Sequence, residues 1–380
     1  MRLPTILSCG FAVICSASGA GPEYFAYVGT YTGQGKSQGI YAFRFHTGTG
    51  KLTPAGLVAE TDNPSFLTIH QNGKYLYAVN EIGKYQNQAT GTVTAFAIDR
   101  ASGKLKELNK VVTKGTIPCH LQVDKTGKYL VLANYGSGST ASFPIQTGGK
   151  LGEAVSVMQH SGSSVDPRRQ QGPHAHSVNF SPDFRFVVVA DLGLDQVLVY
   201  RFDSRTGALA PHEPPFVRVK PGGGPRHFAF HPSARFGYTN HEMGSAVSVF
   251  DYDAKAGVFS EKQTISTLPP GFQGVNHTAE VLVHPNGKFL YCSNRGHDSI
   301  AAFSVDQAKG TLTLVEIEPT QGRTPRNFVI DPGGQFLLAE NQDSDSIVVF
   351  RIDPASGALT PTGEKVDAPA PVCIRFLAVK

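Results

Sequence analysis

The stretch Gly222–Glu242, GGGPRHFAFHPSARFGYTNHE, carries an arginine and a carboxylate at the outer ends of two short apolar runs. A turn at Pro232–Ser233–Ala234 makes those runs antiparallel strands, so the start of the first and the end of the second share one edge. Arg226 and Glu242 therefore stand at the same end of one hairpin. A guanidinium fork suits a carboxylate, a phosphate or a developing oxyanion, and a carboxylate beside it can move a proton. The same two residues also make an ordinary structural ion pair, and their spacing alone does not separate the two readings.

Other hairpins repeat this plan with different polar ends. First-strand starts carry Ser65, Cys119, His120, His174, His176, His227, Glu280 and Arg326. Second-strand ends carry Asn80, Glu81, Asn134, Tyr135, Asp191, His241, Asn294, Arg295, Glu340 and Asn341. If the hairpins point the same way, arginines, imidazoles and carboxylates converge on one opening. His174 and His176 straddle Ala175, so a strand would send both to one side. His231 and His284 each precede a proline turn and read as hairpin residues.

The elements that position these groups follow from two alternating phrases. One has the form aromatic-x-apolar-Asp-x-x-x-Gly-x-Leu, as in FAIDRASGKL (96–105), YRFDSRTGAL (200–209), FDYDAKAGVF (250–259), FSVDQAKGTL (303–312) and FRIDPASGAL (350–359). FRFHTGTGKL (43–52) lacks the Asp and FPIQTGGKL (143–151) is a residue shorter, which makes seven copies starting 47 to 57 residues apart. Each is a strand end, an Asp-led turn and a new strand. The other phrase is a strand, a Pro/Gly turn and an aromatic-rich strand, as in NPSFLTIHQNGKYLYAVNE (63–81) and PRNFVIDPGGQFLLAENQ (325–342). Its seventh copy is split, with PVCIRF (371–376) supplying the first strand and FAYVGTY (25–31) the second. Four strands per unit at a period near 50 predict an all-β fold, a seven-bladed β-propeller closed by strands from both termini. Closure also removes the sheet edges that an open array would leave. The segment Met158–Gly172, MQHSGSSVDPRRQQG, is an insertion expected to form a loop over the channel mouth.

Composition narrows the possibilities. The chain of 380 residues is 40% hydrophobic and 17% charged, with 41 Gly and 25 Pro, which fits a turn-rich globular protein with little helix. A formal charge of +4 without a basic block argues against nucleic-acid or membrane-surface binding. Arg2, the apolar run to Cys15 and the small residues Ser18-x-Ala20 predict a signal peptide over residues 1–20, too short to span a bilayer. The product expected is an exported, periplasmic or secreted chain, with residues 21–380 as one propeller domain. Cys119, Cys292 and Cys373 would remain in it as buried thiols. No HExxH, cysteine pair, EF-hand loop or GxSxG elbow is present, so neither a metal site nor a cofactor is expected.

Taken in order, YVGTYT, NPSFL, PCHL with ANYGSGS, PHAHSV, DLGLDQV, GPRHF, AEVLVHP, SNRGHDSI and PRNFVIDP resemble the seven-bladed propeller lactonase family. That family includes 6-phosphogluconolactonases and carboxy-cis,cis-muconate cyclases, and the resemblance runs from about Tyr24 to the C-terminus. It implies a metal-independent lactone hydrolase or cyclase acting on a small-molecule lactone at the channel mouth. By the same resemblance His176, Arg226, Glu242 and Arg295 are the site residues. The expected roles are Glu242 as base with His176 as the other candidate, and Arg226 at the oxyanion. Arg295, Arg326 and His174 would bind substrate. A muconate-type lactonising cyclase, or a non-catalytic exported propeller that binds protein or cell-wall sugar, are the competing readings.

Overall fold

The computed structural model describes residues 21–33 and 35–379. The expected signal peptide lies outside the described residues. Among them, 28 strands form seven antiparallel sheets of four, and the helical content is one 3-10 turn at Gln342–Ser344. Six blades take their strands in chain order, covering residues 67–112, 118–159, 175–218, 225–266, 277–319 and 325–367. The remaining blade, counted first here, is the split one. Its inner strand Pro371–Ala378 pairs with Glu23–Thr30 in the register Tyr24↔Ala378 to Gly29↔Cys373, followed outward by Gly39–His46 and Lys51–Glu60. Each inner strand touches the inner strands on both sides, and Pro371–Ala378 touches those of the second and seventh blades. The ring is closed by both chain ends, as the split repeat predicts.

Both sequence phrases meet at the blade boundaries. The repeated glycines Gly50, Gly103, Gly149, Gly207, Gly257, Gly310 and Gly357 all have φ between +73° and +86°. Each also packs on the leading aromatic of the second strand in the preceding blade: Phe336, Phe25, Tyr75, Tyr129, Phe186, Phe236 and Phe289 respectively. A Cβ at any of them would overlap that ring. The glycine is thus required twice, by a left-handed turn and by the neighbour's aromatic. The Asp of the phrase is a turn former. Asp353 Oδ1, for example, accepts the N–H groups of Ala355 and Ser356, and such backbone bonds hold its carboxyl below the usual range.

The core lies between blades. Tyr238, Val247 and Val249 of the fifth interdigitate with Leu290, Cys292 and Phe303 of the sixth, all fully buried. Each such side chain contributes about 1.5–3 kcal/mol of transfer free energy, which makes the blade stack rigid enough to hold a site on its axis. Cys119, Cys292 and Cys373 are buried and free. No helix among the described residues is long and apolar enough to cross a membrane.

Candidate active site

Inner strands do not begin as regular ladder. Their pairing skips Cys119, His176, Arg226 with His227, Ala279 with Glu280, Arg326, and Val372. A bulge of this kind re-aims side chains away from the sheet face. Here Cys119, His176, Arg226 and Arg326 reach the channel axis, where they line a throat with Ser65.

Second strands contribute one residue later than their ends. The last residue, or in Phe289–Arg295 the one before it, is a fastener: Asn80 Nδ2 donates to Thr61 Oγ1 at 2.8 Å, Asn134 Nδ2 to the Thr113 carbonyl at 3.1 Å, and Asn294 Nδ2 to the Thr267 carbonyl at 3.0 Å. Asp191 accepts the His174 N–H at 2.8 Å and pairs with the His160 ring at 2.6 Å. The next residue turns into the mouth, which brings Tyr31, Glu81, Tyr135, Glu242 and Arg295 to the cavity. Four of the polar strand ends read from the sequence, Asn80, Asn134, Asp191 and Asn294, are therefore structural.

The mouth cavity is about 290 Å³, lined by Glu81, Tyr135, Arg169, His176, Glu242, His277, Arg295, Arg326 and Cys119. Beneath it the throat narrows to about 10 Å³, at the lower limit for a single water. Phe66, His120 and His227 pack against one another there, with ring centroids 4.1 to 5.9 Å apart, and plug the axis. The site opens at one end only.

Glu242 is the hub of the cavity. Its Oε1 accepts Arg169 Nη2 at 2.7 Å, its Oε2 accepts Arg226 Nε at 3.0 Å, and Arg295 Nη2 forms an ion pair with Oε2 at 3.0 Å. Burial alone would raise its proton affinity, but the guanidinium groups of Arg295, Arg226 and Arg169 hold the carboxyl well below the usual range. With both oxygens engaged, Glu242 fits the part of aligning the guanidinium groups better than that of the base expected from the sequence. Arg226 Nη1 continues to the Ala279 carbonyl and to His227 Nε2 at 3.1 Å, while His227 Nδ1 donates to Glu280 Oε1 at 2.8 Å. Asn327 Nδ2 then donates to Glu280 Oε2 at 2.6 Å. Arg226 is thus fixed from behind by a buried relay of polar groups.

His176 Nε2 lies 4.0 Å from Glu242 Oε2, and burial with Arg226 and His227 nearby lowers its proton affinity, so the ring is neutral at pH 7. His174 does not line the cavity. Its Nδ1 bonds the Tyr135 carbonyl at 3.0 Å and its ring stacks on the Tyr135 ring, so it orients Tyr135 instead of meeting substrate as expected. Burial, with Arg226 and Arg326 close by, pulls Arg295 down to about 9. A guanidinium keeps its proton at neutral pH all the same. Arg326 has no carboxylate partner among the described residues and lies over the Tyr31 ring, 5.1 Å from its centroid. Burial pushes the Cys119 thiol up, which keeps it inert.

Arg169 is the residue that sequence reasoning missed. It sits in the insertion before the fourth inner strand, where no repeat offers a counterpart. Asp166 Oδ1 caps the N–H groups of Arg168 and Arg169, and Ser164 Oγ donates to Asp195 Oδ2 at 2.6 Å. Asp195 also accepts the N–H of Gly222 at 2.7 Å and of Gly224 at 2.7 Å. One buried carboxylate thereby ties the insertion to the glycine turn that leads into Arg226. Among the described residues no group of three or more His, Cys, Asp or Glu side chains could hold a metal ion.

Residues 25–376 match the family described as lactonase, 7-bladed beta-propeller. The chain belongs to that family. A 6-phosphogluconolactonase of Bacillus subtilis is 38% identical over 93% of this chain and 99% of its own. A 6-phosphogluconolactonase of Formosa agariphila is 38% identical over 80% of this chain and 86% of its own. Among solved structures, the periplasmic gluconolactonase of Pseudomonas aeruginosa superposes with a TM-score of 0.89 at 38% identity, covering 94% of this chain and 100% of that one.

Proposed function

We propose that this protein opens the ring ester of a sugar δ-lactone at the channel mouth. The observation that carries the reading is a blind, water-accessible cavity with its throat, in which four guanidinium groups, those of Arg169, Arg295 and Arg326 at the mouth and Arg226 in the throat, face two carboxyl groups, Glu81 and Glu242. Ester hydrolysis needs positive charge where the oxyanion forms and where the product carboxylate leaves, and this surplus supplies it without a metal. Arg226, Arg295 and Arg326 take those parts, and Glu242 keeps Arg169, Arg226 and Arg295 from repelling one another. The lactonase relatives support the reaction class. A muconate-type lactonising reaction would call on the same anion-binding groups, and no feature of the cavity favours it.

The leader-like residues 1–20, together with the periplasmic gluconolactonase of Pseudomonas aeruginosa, support export and a non-phosphorylated aldonolactone as the natural substrate. The test is a side-by-side assay of glucono-δ-lactone, its 6-phosphate and a carboxymuconate, with N-terminal sequencing of protein from fractionated cells. Cleavage near Gly21 and turnover of glucono-δ-lactone at least as fast as of the phosphate are expected. Uncleaved cytosolic protein that prefers the phosphate would overturn the assignment of substrate and compartment.

A further inference from the structure

Glu81 and Glu242 occupy equivalent positions, one residue beyond the second strands Tyr75–Asn80 and Phe236–His241, and both line the mouth cavity. Their surroundings differ. Glu242 spends both oxygens on three guanidinium groups. Glu81 has no cationic partner among the described residues, and the bond to its carboxyl is from the Tyr31 hydroxyl to Oε2 at 2.8 Å. Its Oε1 is left for another donor. Tyr31 is itself fixed, with the Arg326 guanidinium over its ring, so the phenol holds the carboxyl facing both the cavity and the throat beside His176 and Arg326.

Resting on the lactonase reading above, we propose that Glu81 is the general base of the reaction, oriented by Tyr31, and that Glu242 is a positioning residue. A carboxylate tied to three guanidiniums has little remaining proton affinity, whereas one held by a single neutral phenol keeps an open lone pair. The water oxygen bonds to the lactone carbonyl carbon, and the carbonyl π pair moves to its oxygen, which the guanidinium groups of the cavity meet. The water proton passes to Glu81 Oε1. As the oxyanion re-forms the carbonyl, the ring C–O bond breaks and its pair stays on the ring oxygen, which takes the proton back from Glu81. The new carboxylic acid gives its own proton to solvent. Atoms and charges balance, and Glu81 ends ionised for the next cycle.

The experiment compares E81Q, E242Q, H176Q and Y31F for kcat, KM and thermal unfolding, and adds formate to E81A and E242A. E81Q is expected to lower kcat about a hundredfold or more with KM within threefold of wild type and an unchanged melting temperature. Y31F should lower kcat by less. Formate should restore activity to E81A at least tenfold and leave E242A unaffected, while E242Q acts mainly on KM and stability. If E81Q unfolds, E81D is the second variant, with a kcat loss of tenfold or more expected from the shorter reach. An E81Q or E81D enzyme within threefold of wild type overturns the proposal. So does a hundredfold loss in H176Q alone, or formate rescue of E242A in place of E81A. A wild-type protein that opens no aldonolactone overturns both this and the function on which it rests.

Discussion

At the scale of single residues, the same side chain takes a different part according to what surrounds it. Glu242 and Glu340 show the two extremes. Glu242 is buried among cations and stays ionised, whereas Glu340 is fully buried with neither carboxyl oxygen hydrogen-bonded. Burial pushes Glu340 well above the usual carboxylate range, with Arg375 opposing and Glu280 adding to it. An acid whose folded value is raised holds its proton where the unfolded chain gives it up, so it costs stability increasingly as pH rises above about 4.5. The variant E340Q removes that titration. It also places an amide donor opposite Asn327, its partner in the ladder, whose Oδ1 is unpaired. Stabilisation of about 2 kcal/mol or more is expected at pH 8, with little difference at pH 4, read by denaturant unfolding at both. Equal gains at the two pH values would show that Glu340 does not titrate as its burial requires. From the sequence Glu340 reads as one more polar rim group, because strand patterning names the end of a strand and not which of its last residues faces inward.

Elements explain why the sequence led to some site residues and passed over others. Hairpin logic placed Arg226, Glu242, His176, Arg295 and Arg326 at one mouth because each has a repeat counterpart of known direction, and all five line the cavity or its throat. It could not separate the fasteners Asn80, Asn134 and Asn294 from Glu81, Tyr135 and Arg295 beside them, since a one-residue step at a strand end changes the destination of the side chain completely. Arg169 had no counterpart at all. Its loop is pinned through Asp195, which is 2% exposed, so the element-scale prediction falls there. D195A strips the acceptor from Gly222 and Gly224 and frees Ser164. A loss of about 2–4 kcal/mol in stability is expected, with KM raised more than kcat is lowered, because Arg169 and Arg226 are positioned by the two loops it joins. A variant with wild-type stability and KM would show that the loops hold their places without it.

For the whole molecule, the ring is completed by Pro371–Ala378 against Glu23–Thr30, and Cys373 Sγ accepts the Leu67 N–H at 3.3 Å across the next boundary. Deleting residues 371–380 should uncover a strand edge and abolish a single cooperative thermal transition, read by calorimetry alongside the intact chain. An unchanged transition would mean that six and three-quarter blades suffice. The architecture was legible because seven copies and one split phrase leave few other arrangements. The role of the repeated glycines was not, since their contact lies with the preceding blade and not within the phrase. The split also sets a schedule. The strand that completes the first blade, Pro371–Ala378, follows Glu23–Thr30 only after six other blades have been made, so during roughly 20–70 seconds of elongation EYFAYVGT waits without its inner neighbour. No earlier-made segment belongs in that place, and the ring cannot lock until Pro371–Ala378 arrives. Closure of the ring waits on the strand that lies farthest along the chain from its partner.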